Sequence, residues 1–221
     1  MEKSCQKKQP NVLLVFVDNQ PANMLGCAGN TEIHTPNLDR LAENAVRFSE
    51  AYCPNAMCSP CRASVLTGLM PSQHGVHTWL DDSTIKEWPK NWSAVQELQT
   101  LPELLSQAGY DTTLMGKYHL GYAGTPQNSF KEWVTLQIGH VQSFYDNKMI
   151  VNGKKQTYPG HSVDFFSDQA VDYTARLNEF FNAYSNPKWN LWTGGGAKGN
   201  STRPFLWREI WGEDWKPVYS T

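Results

Sequence analysis

The stretch TLPELLSQAGYDTTLMGKYHLG, residues 100–121, contains the signals of a helix and of a strand in close succession. Thr100 and Glu103 have the spacing of a capping box, which predicts that a helix begins here. Gly109 is typical of the residue that ends a helix. The segment YDTTLM that follows is short and contains β-branched and aromatic residues, so it predicts a strand.

Two polar residues, Lys117 and His119, come directly after this predicted strand. In open α/β sheets, ligands bind beyond the carboxyl ends of the strands, so the loop is a candidate site. A lysine and a histidine two residues apart in a loop are, taken alone, more often ordinary surface residues. The residues alone therefore leave both interpretations open.

The remainder of the chain also alternates between strand and helix signals. The run NVLLVFVD, residues 11–18, is continuously apolar and predicts a parallel strand buried on both faces, with Asp18 at its carboxyl end. A helix is predicted next, with Thr35 as N-cap, Pro36 in the first turn, and an apolar face of Leu38, Leu41, Ala42, Ala45 and Val46. Two further helices are predicted, one from about Ser59 to a stop at Gly68 and one over residues 162–181.

A hairpin is predicted within residues 148–158, because Asn152-Gly153 suits a tight primed turn. Taken together, these elements predict an α/β fold in which a mostly parallel sheet is flanked by helices. The pattern covers residues 1–185, which are predicted to be the amino-terminal part of one domain. Residues 186–221 form an atypical tail that holds five of the nine tryptophans and a triple glycine, and its fold is not predicted.

Composition excludes several classes of partner. The 221 residues are 40% hydrophobic, enough for a sizeable core, and the net charge of −2 is spread without long runs of one sign. Nucleic acid and anionic membranes are therefore not expected partners. No apolar run approaches the length of a membrane span. The amino terminus lacks a clear signal peptide, so a cytoplasmic location is the default expectation, with a periplasmic or secreted location open if the start is incomplete.

Cys53, Cys58 and Cys61 crowd into nine residues and leave several interpretations open. A zinc site could use all three thiolates, but a structural zinc site needs four ligands. A redox pair of Cys58 and Cys61 at a helix start is a second interpretation. Cysteines that pack as small apolar residues are the third.

The wider pattern around these cysteines is more specific. Cys58-x-Pro60-x-Arg62 followed by Leu-Thr-Gly resembles the signature of the sulfatase family, whose cysteine is converted to formylglycine after translation. Cys61 stands where the commonest form of that signature has serine. Residues 11–30, 35–53 and 109–121 also resemble blocks of the family, in the family's order. Such ordered agreement is more specific than one short motif.

The resemblance implies an alkaline-phosphatase-like sulfatase domain that hydrolyses an organic sulfate ester to alcohol and sulfate. Formylglycine made from Cys58 would, as its hydrate, supply the nucleophile, and Arg62 would hold an oxygen of that hydrate. The resemblance assigns Lys117 to a sulfate oxygen, and His119 to orienting the hydrate or exchanging protons with it. The implied partners are a small-molecule or carbohydrate sulfate ester and a formylglycine-generating enzyme.

A divalent cation, Ca²⁺, is implied by the same resemblance. Its ligands would be Asp18, Asn19 and the formylglycine oxygen at position 58, and oxygen donors are the type that Ca²⁺ prefers. Many relatives have aspartate where this chain has Asn19, so one negative charge is missing. An Asp-Asn pair at a strand end would, in isolation, be read as a simple turn.

Other histidines and tryptophans receive structural interpretations. Capping or turn roles are expected for His34, His74 and His77. Trp79, Trp88 and Trp92 could wall a pocket or pack in a core.

The chain also departs from the sulfatase pattern. No equivalent of the family's later metal and sulfate ligands is found after residue 122, which predicts a truncated or frameshifted product, an amino-terminal fragment, or a chain completed by a partner. Two alternative functions therefore stay open: a phosphonate or phosphate ester hydrolase of the same superfamily, and a non-catalytic truncated sulfatase fragment. The oligomeric state is not predicted.

Overall fold

The structure, a computed structural model, describes residues 10–141 and 143–182. It divides into two compact units, residues 1–48 and residues 49–221, and each is described here by itself. The tryptophan-rich tail predicted for residues 186–221 lies outside the described residues. Among the residues that are described, no helix has the length and apolar character needed to cross a membrane.

A four-stranded mixed sheet forms the centre of the second unit. Its strands are β1 (Thr113–Gly116), β2 (Glu132–Leu136), β3 (Asn147–Val151) and β4 (Lys154–Tyr158), and they lie in that order across the sheet. The β1–β2 pair is parallel, and the β2–β3 and β3–β4 pairs are antiparallel. The predicted α/β fold with helices around a sheet is confirmed, and the strand predicted within YDTTLM is β1. The sheet of the described strands is mixed rather than mostly parallel, since one of its three strand pairs is parallel.

The β3–β4 hairpin turns at Asn152-Gly153, as predicted. Both residues have positive φ, 46° for Asn152 and 82° for Gly153, which a type I′ turn requires. Asn152 also ties the turn to the neighbouring strand. Its backbone N–H donates to the Trp133 carbonyl at 2.8 Å, and its side-chain oxygen accepts from the Trp133 N–H at 2.8 Å.

The helices of this unit are α2 (Cys58–Thr67), α3 (Pro71–His74), α4 (Leu101–Gln107) and α5 (Ser162–Asn182). Gly68 ends α2 in the left-handed conformation with φ 70°, as predicted. The predicted capping box starts α4, where the Thr100 N–H donates to the Glu103 carboxylate at 2.9 Å. α5 packs against β1 and β2, and a short 3₁₀ segment covers Asp82–Glu87.

Trp133 lies at the centre of the main core. Its side chain is fully buried, its indole N–H donates to the Ala123 carbonyl at 2.6 Å, and Tyr118 packs edge-on against it at a centroid distance of 4.9 Å. Leu120 and Val95 are fully buried in the same cluster. Two core residues, Tyr118 and Leu120, therefore alternate with the two candidate site residues of the loop after β1.

The first unit differs from the sequence prediction at residues 11–18. This run is not a strand, and its apolar side chains, Val12 through Val17, are between 43% and 65% exposed. The prediction of a buried parallel strand is wrong for the structure. A strand interior needs partner strands for its N–H and C=O groups, and none of the four described strands pairs with this run.

The helix of the first unit, α1, covers Pro36–Glu43, so its start is as predicted and its end comes earlier. Ala45 and Val46 lie beyond it, Leu41 is 47% exposed and Val46 is 81% exposed, so the predicted apolar face is not buried. Thr35 precedes the helix but makes no side-chain capping bond. Instead, its hydroxyl accepts from the Gly26 N–H and donates to the Asp39 carboxylate.

Candidate active site

Cys58 is the first residue of α2 and contacts a lysine from the loop after β1. The Lys117 ammonium donates a hydrogen bond to the Cys58 sulfur at 3.1 Å. Met57, which precedes the helix, makes no side-chain capping bond, and a helix start favours negative charge. The side chain at position 58 therefore lies where a lysine charge and the positive end of a helix dipole coincide.

Arg62 lies one turn further along α2 and reaches the same loop. Its guanidinium donates to the Lys117 carbonyl oxygen at 2.7 Å. Residues four apart share one face of a helix, so Cys58 and Arg62 both face the Lys117 segment. Arg62 thus holds the backbone of the residue whose ammonium contacts Cys58.

His119 is 1% exposed and has positive φ, 51°. Its Nε2 lies 3.0 Å from the carbonyl oxygen of Leu80, and since a carbonyl only accepts, Nε2 carries the proton of this bond. The N–H of Leu80 donates in turn to the Ser59 hydroxyl at 3.2 Å, in the first turn of α2. The Leu80 backbone therefore connects His119 to the segment that begins with Cys58.

The rings of Trp79 and His140 lie near His119 and form an aromatic group with it. Trp79 packs edge-on against the His119 ring at 5.5 Å, and the His140 ring lies 5.9 Å from Trp79 and 6.2 Å from His119. Trp79 is 38% exposed, so the group reaches the surface. Sequence reasoning missed His140, because it lies in the β2–β3 connection and only the sheet topology brings it near His119.

His74 has the structural role that the sequence suggested. Its Nε2 lies 3.0 Å from the Ser64 hydroxyl of α2, and its Nδ1 accepts the Val76 N–H at 3.1 Å. Burial lowers the pKa of His74, with a smaller contribution from the charge of His77. A neutral His74 therefore links α3 to α2.

The cysteine contacts differ from the Cys58–Cys61 pair of the redox interpretation. The Cys61 sulfur lies 3.0 Å from the Cys53 sulfur, whereas the Cys58 sulfur is bonded by Lys117. In the described part of the chain, no cluster of three or more histidine, cysteine, aspartate or glutamate residues could hold a metal ion. The structure therefore supports neither the zinc interpretation nor a redox pair of Cys58 and Cys61.

The family model described as Sulfatase matches residues 10–185. This chain belongs to the sulfatase family. The chain is 32% identical to the N-acetylglucosamine-6-O-sulfatase of Bacteroides thetaiotaomicron, over 76% of this chain and 28% of that protein. It is 36% identical to the human N-acetylgalactosamine-6-sulfatase, over 67% of this chain and 29% of that protein.

Solved structures show the same relationship. The structure of BT4656 in complex with its substrate D-glucosamine-2-N,6-O-disulfate is 31% identical, with a TM-score of 0.63, and the match covers 76% of this chain and 31% of that one. The fold is therefore that of the alkaline-phosphatase-like sulfatases. This sulfatase chain spans less than a third of the length of these relatives.

Asp18 and Asn19, the predicted metal ligands, lie together in a turn of the first unit, where Asn19 has φ 59°. Their carboxylate and amide oxygens fit the donor type that Ca²⁺ prefers. Two residues nevertheless fall short of the roughly six to eight oxygen ligands that Ca²⁺ takes. Because Cys58 belongs to the other unit, the calcium site of this sulfatase stays a prediction.

Proposed function

We propose that this chain carries the nucleophile side of an active site that hydrolyses an organic sulfate ester to alcohol and sulfate. The observation that supports the proposal is the contact of the Lys117 ammonium with the Cys58 sulfur at 3.1 Å, at the start of a helix. A sulfate ester is anionic, and positive groups at a preorganised site stabilise the charge that develops as it reacts. The side chain at position 58 and the lysine are already adjacent.

Formylglycine made from Cys58 would, when present, supply an oxygen nucleophile toward sulfur. Lys117 would place its positive charge beside that nucleophile and bind an oxygen of the sulfate group, as a flexible lysine ammonium can. Arg62 would keep Lys117 in place through its bond to the Lys117 carbonyl. The Lys117 ammonium makes a second contact with α2, at the Cys58 sulfur.

His119 would contribute proton exchange, a role for which imidazole suits neutral pH. Its Nε2 holds a proton toward the Leu80 carbonyl, which fixes the plane of the ring. Trp79 limits the movement of the same ring from one side. An imidazole ring that is already fixed and buried loses little orientational freedom when it transfers a proton, and this favours the transfer.

A divalent cation is part of the proposal. Asp18 and Asn19 would be among its ligands, and Ca²⁺ would supply positive charge toward an anionic ester. A calcium titration followed by thermal unfolding tests the ligands without any activity measurement. We expect calcium to raise the melting temperature of the wild-type chain but not of Asp18→Asn. Asp146→Asn is the matched control, because Asp146 is exposed and asparagine tolerates its positive φ.

We propose a carbohydrate sulfate, an O-sulfate at carbon 6 of an amino sugar, as the substrate class. The names of the bacterial and human relatives support this class, and so does the sulfated sugar bound in the related structure. Turnover of 6-sulfated N-acetylglucosamine, 6-sulfated N-acetylgalactosamine and an aryl sulfate should be compared. Preference for the aryl ester would contradict the substrate class while leaving sulfate hydrolysis intact.

The central experiment is the conversion of Cys58. The chain is co-expressed with a formylglycine-generating enzyme, and mass spectrometry of the tryptic peptide 48–62 reports whether the Cys58 thiol has become an aldehyde. Conversion is expected in the wild type and in the matched control Cys27→Ser, which lies in the other unit. A Cys58 that stays a thiol, while a known substrate is converted in the same cells, would count against the proposal.

Activity of a verified modified sample separates the alternatives. Faster turnover of phosphate or phosphonate esters than of sulfate esters would favour the related hydrolase. No turnover of any ester, in a sample shown to be modified and folded, would favour the non-catalytic fragment.

A further inference from the structure

Cys53 and Cys61 bring two thiols into direct contact beside the candidate active site. Cys53 lies in the segment that precedes α2, and Cys61 is the fourth residue of that helix. Their sulfur atoms are 3.0 Å apart. Cys53 is exposed and Cys61 is half-buried, so one of the two sulfurs is accessible to a small molecule from solvent.

The distance is close to that of a covalent bond between the two residues. Disulfide sulfurs are about 2.05 Å apart, so the separation has to shorten by only about 1 Å. Rotation of two cysteine side chains supplies movements of this size. The loop between them contains seven residues, which keeps the two thiols near each other in the folded chain.

Cys58 is held apart from this pair. Its sulfur accepts the hydrogen bond of Lys117, which belongs to the loop after β1. The Cys53 sulfur in turn contacts the Asn55 carbonyl at 2.8 Å, within its own segment. The three crowded cysteines thus divide into one residue at the candidate nucleophile position and one pair.

We propose that Cys53 and Cys61 form a reversible disulfide, with a low-molecular-weight disulfide such as oxidised glutathione as the oxidant. The Cys53 thiolate attacks one glutathione sulfur, the S–S bond of glutathione disulfide breaks, and one glutathione thiolate leaves. The Cys61 thiolate then attacks the Cys53 sulfur of the mixed disulfide, and the second glutathione thiolate leaves. Two protein thiols are oxidised, one glutathione disulfide is reduced to two thiols, and the two protein protons pass to those thiols through solvent.

The bond would connect the segment before α2 to the first turn of the helix, across position 58. Closing this loop removes conformations from residues 54–60 and so restricts the backbone that presents Cys58. Once Cys53 and Cys61 are oxidised, neither carries a thiol that could react in place of the Cys58 thiol. Formation of the Cys53–Cys61 disulfide does not depend on whether Cys58 is converted to formylglycine.

The folded chain, expressed without a modifying enzyme, is equilibrated in glutathione buffers of graded reduced-to-oxidised ratio, quenched with acid and alkylated. Trypsin releases residues 48–62 as one peptide that contains Cys53, Cys58 and Cys61. Cys58→Ala leaves only the proposed pair in that peptide. Cys53→Ser and Cys61→Ser each remove one member, and Cys27→Ser is the control outside the peptide.

We expect the wild-type, Cys58→Ala and Cys27→Ser peptides to lose two hydrogens and to escape alkylation at Cys53 and Cys61. Neither Cys53→Ser nor Cys61→Ser should form an internal bond. The ratio of oxidised to reduced glutathione needed for half-oxidation should be at least about tenfold lower for the folded chain than in urea, because folding holds the thiols together.

Three results would overturn the proposal: full alkylation of all cysteines in the most oxidising buffer, a bond that uses Cys58 in the wild-type peptide, or equal oxidation midpoints in folded and unfolded chains.

Discussion

Removal of the Tyr118 hydroxyl tests how the loop after β1, which carries Lys117 and His119, is anchored. Tyr118 is 3% exposed, and its hydroxyl bonds the Ser93 hydroxyl at 2.7 Å and the Asn128 side-chain oxygen at 2.6 Å. Burial raises the pKa of Tyr118, so the phenol stays neutral and remains a donor. Tyr118→Phe removes both hydrogen bonds and keeps the ring that packs on Trp133.

The expected cost follows from those two bonds. Each buried hydrogen bond contributes about 0.5–1.5 kcal/mol net, so the loss of two predicts a decrease of about 1–3 kcal/mol in the free energy of unfolding. Ser93 can still donate to the Asn128 oxygen, at 3.3 Å, which offsets part of the loss. We therefore expect a decrease of about 2 kcal/mol, a change of roughly 30-fold in the folding equilibrium.

Urea unfolding followed by tryptophan fluorescence measures this decrease, and the urea slope should be unchanged. Tyr52→Phe is the matched control. Tyr52 is 84% exposed and its hydroxyl donates to Glu50, so its loss should cost less than about 0.5 kcal/mol. A Tyr118→Phe chain as stable as Tyr52→Phe would refute the reasoning that the hydroxyl network anchors the loop.

Three further changes are predicted. Burial lowers the pKa of His74 in the folded chain, so below about pH 6.5 the unfolded chain binds the additional proton, and the free energy of unfolding of the wild type should fall as the pH is lowered below about 6.5; urea titrations should show a smaller fall for His74→Gln. Gly68→Ala should lower the free energy of unfolding by about 1 kcal/mol, measured by the same titration, because a side chain is strained at φ 70°. Lys117→Met should lower kcat/KM for a sulfate ester at least about 100-fold in a formylglycine-verified enzyme, whereas the exposed Lys148→Met should not.

Each of these has a result that contradicts it. An unchanged pH dependence in His74→Gln would show that another group causes the fall. A Gly68→Ala chain of wild-type stability would mean that α2 can end without a left-handed residue. Equal loss of activity in the two lysine variants would exclude a specific role for the ammonium beside Cys58.

Local chemistry explains which elements could be predicted from the sequence. The α4 capping box and the Asn152-Gly153 turn depend on bonds and dihedral angles within a few residues, so their sequence signals are self-contained. The run at residues 11–18 has no such signal. Its apolar character is compatible with a strand, but a strand forms only where partner strands pair with it, and the described strands do not.

The residues of the candidate site also fall into two groups: those that local spacing predicts and those that only the tertiary fold brings together. The spacing of Cys58 and Arg62 on one helix face is a local property, and both residues contact the Lys117 segment as that spacing suggests. His140 and the Leu80 backbone reach His119 through the tertiary fold, and no motif marks them. The contact between Cys53 and Cys61 was also not predicted, because the redox interpretation of the sequence pairs Cys58 with Cys61.

The loop after β1 shows how a segment without regular secondary structure can hold the candidate site residues in place. Tyr118 and Leu120 fill the core, with 3% and 0% exposure, and they alternate with Lys117 and His119. Lys117 contacts α2 twice, through its ammonium at Cys58 and through its carbonyl at Arg62. The positive φ of His119 then turns the chain, and its bond to Leu80 fixes the ring. Orientation of the site therefore depends on the core beneath the loop, and a change at Tyr118 should alter the Lys117 contact with position 58 without touching either residue.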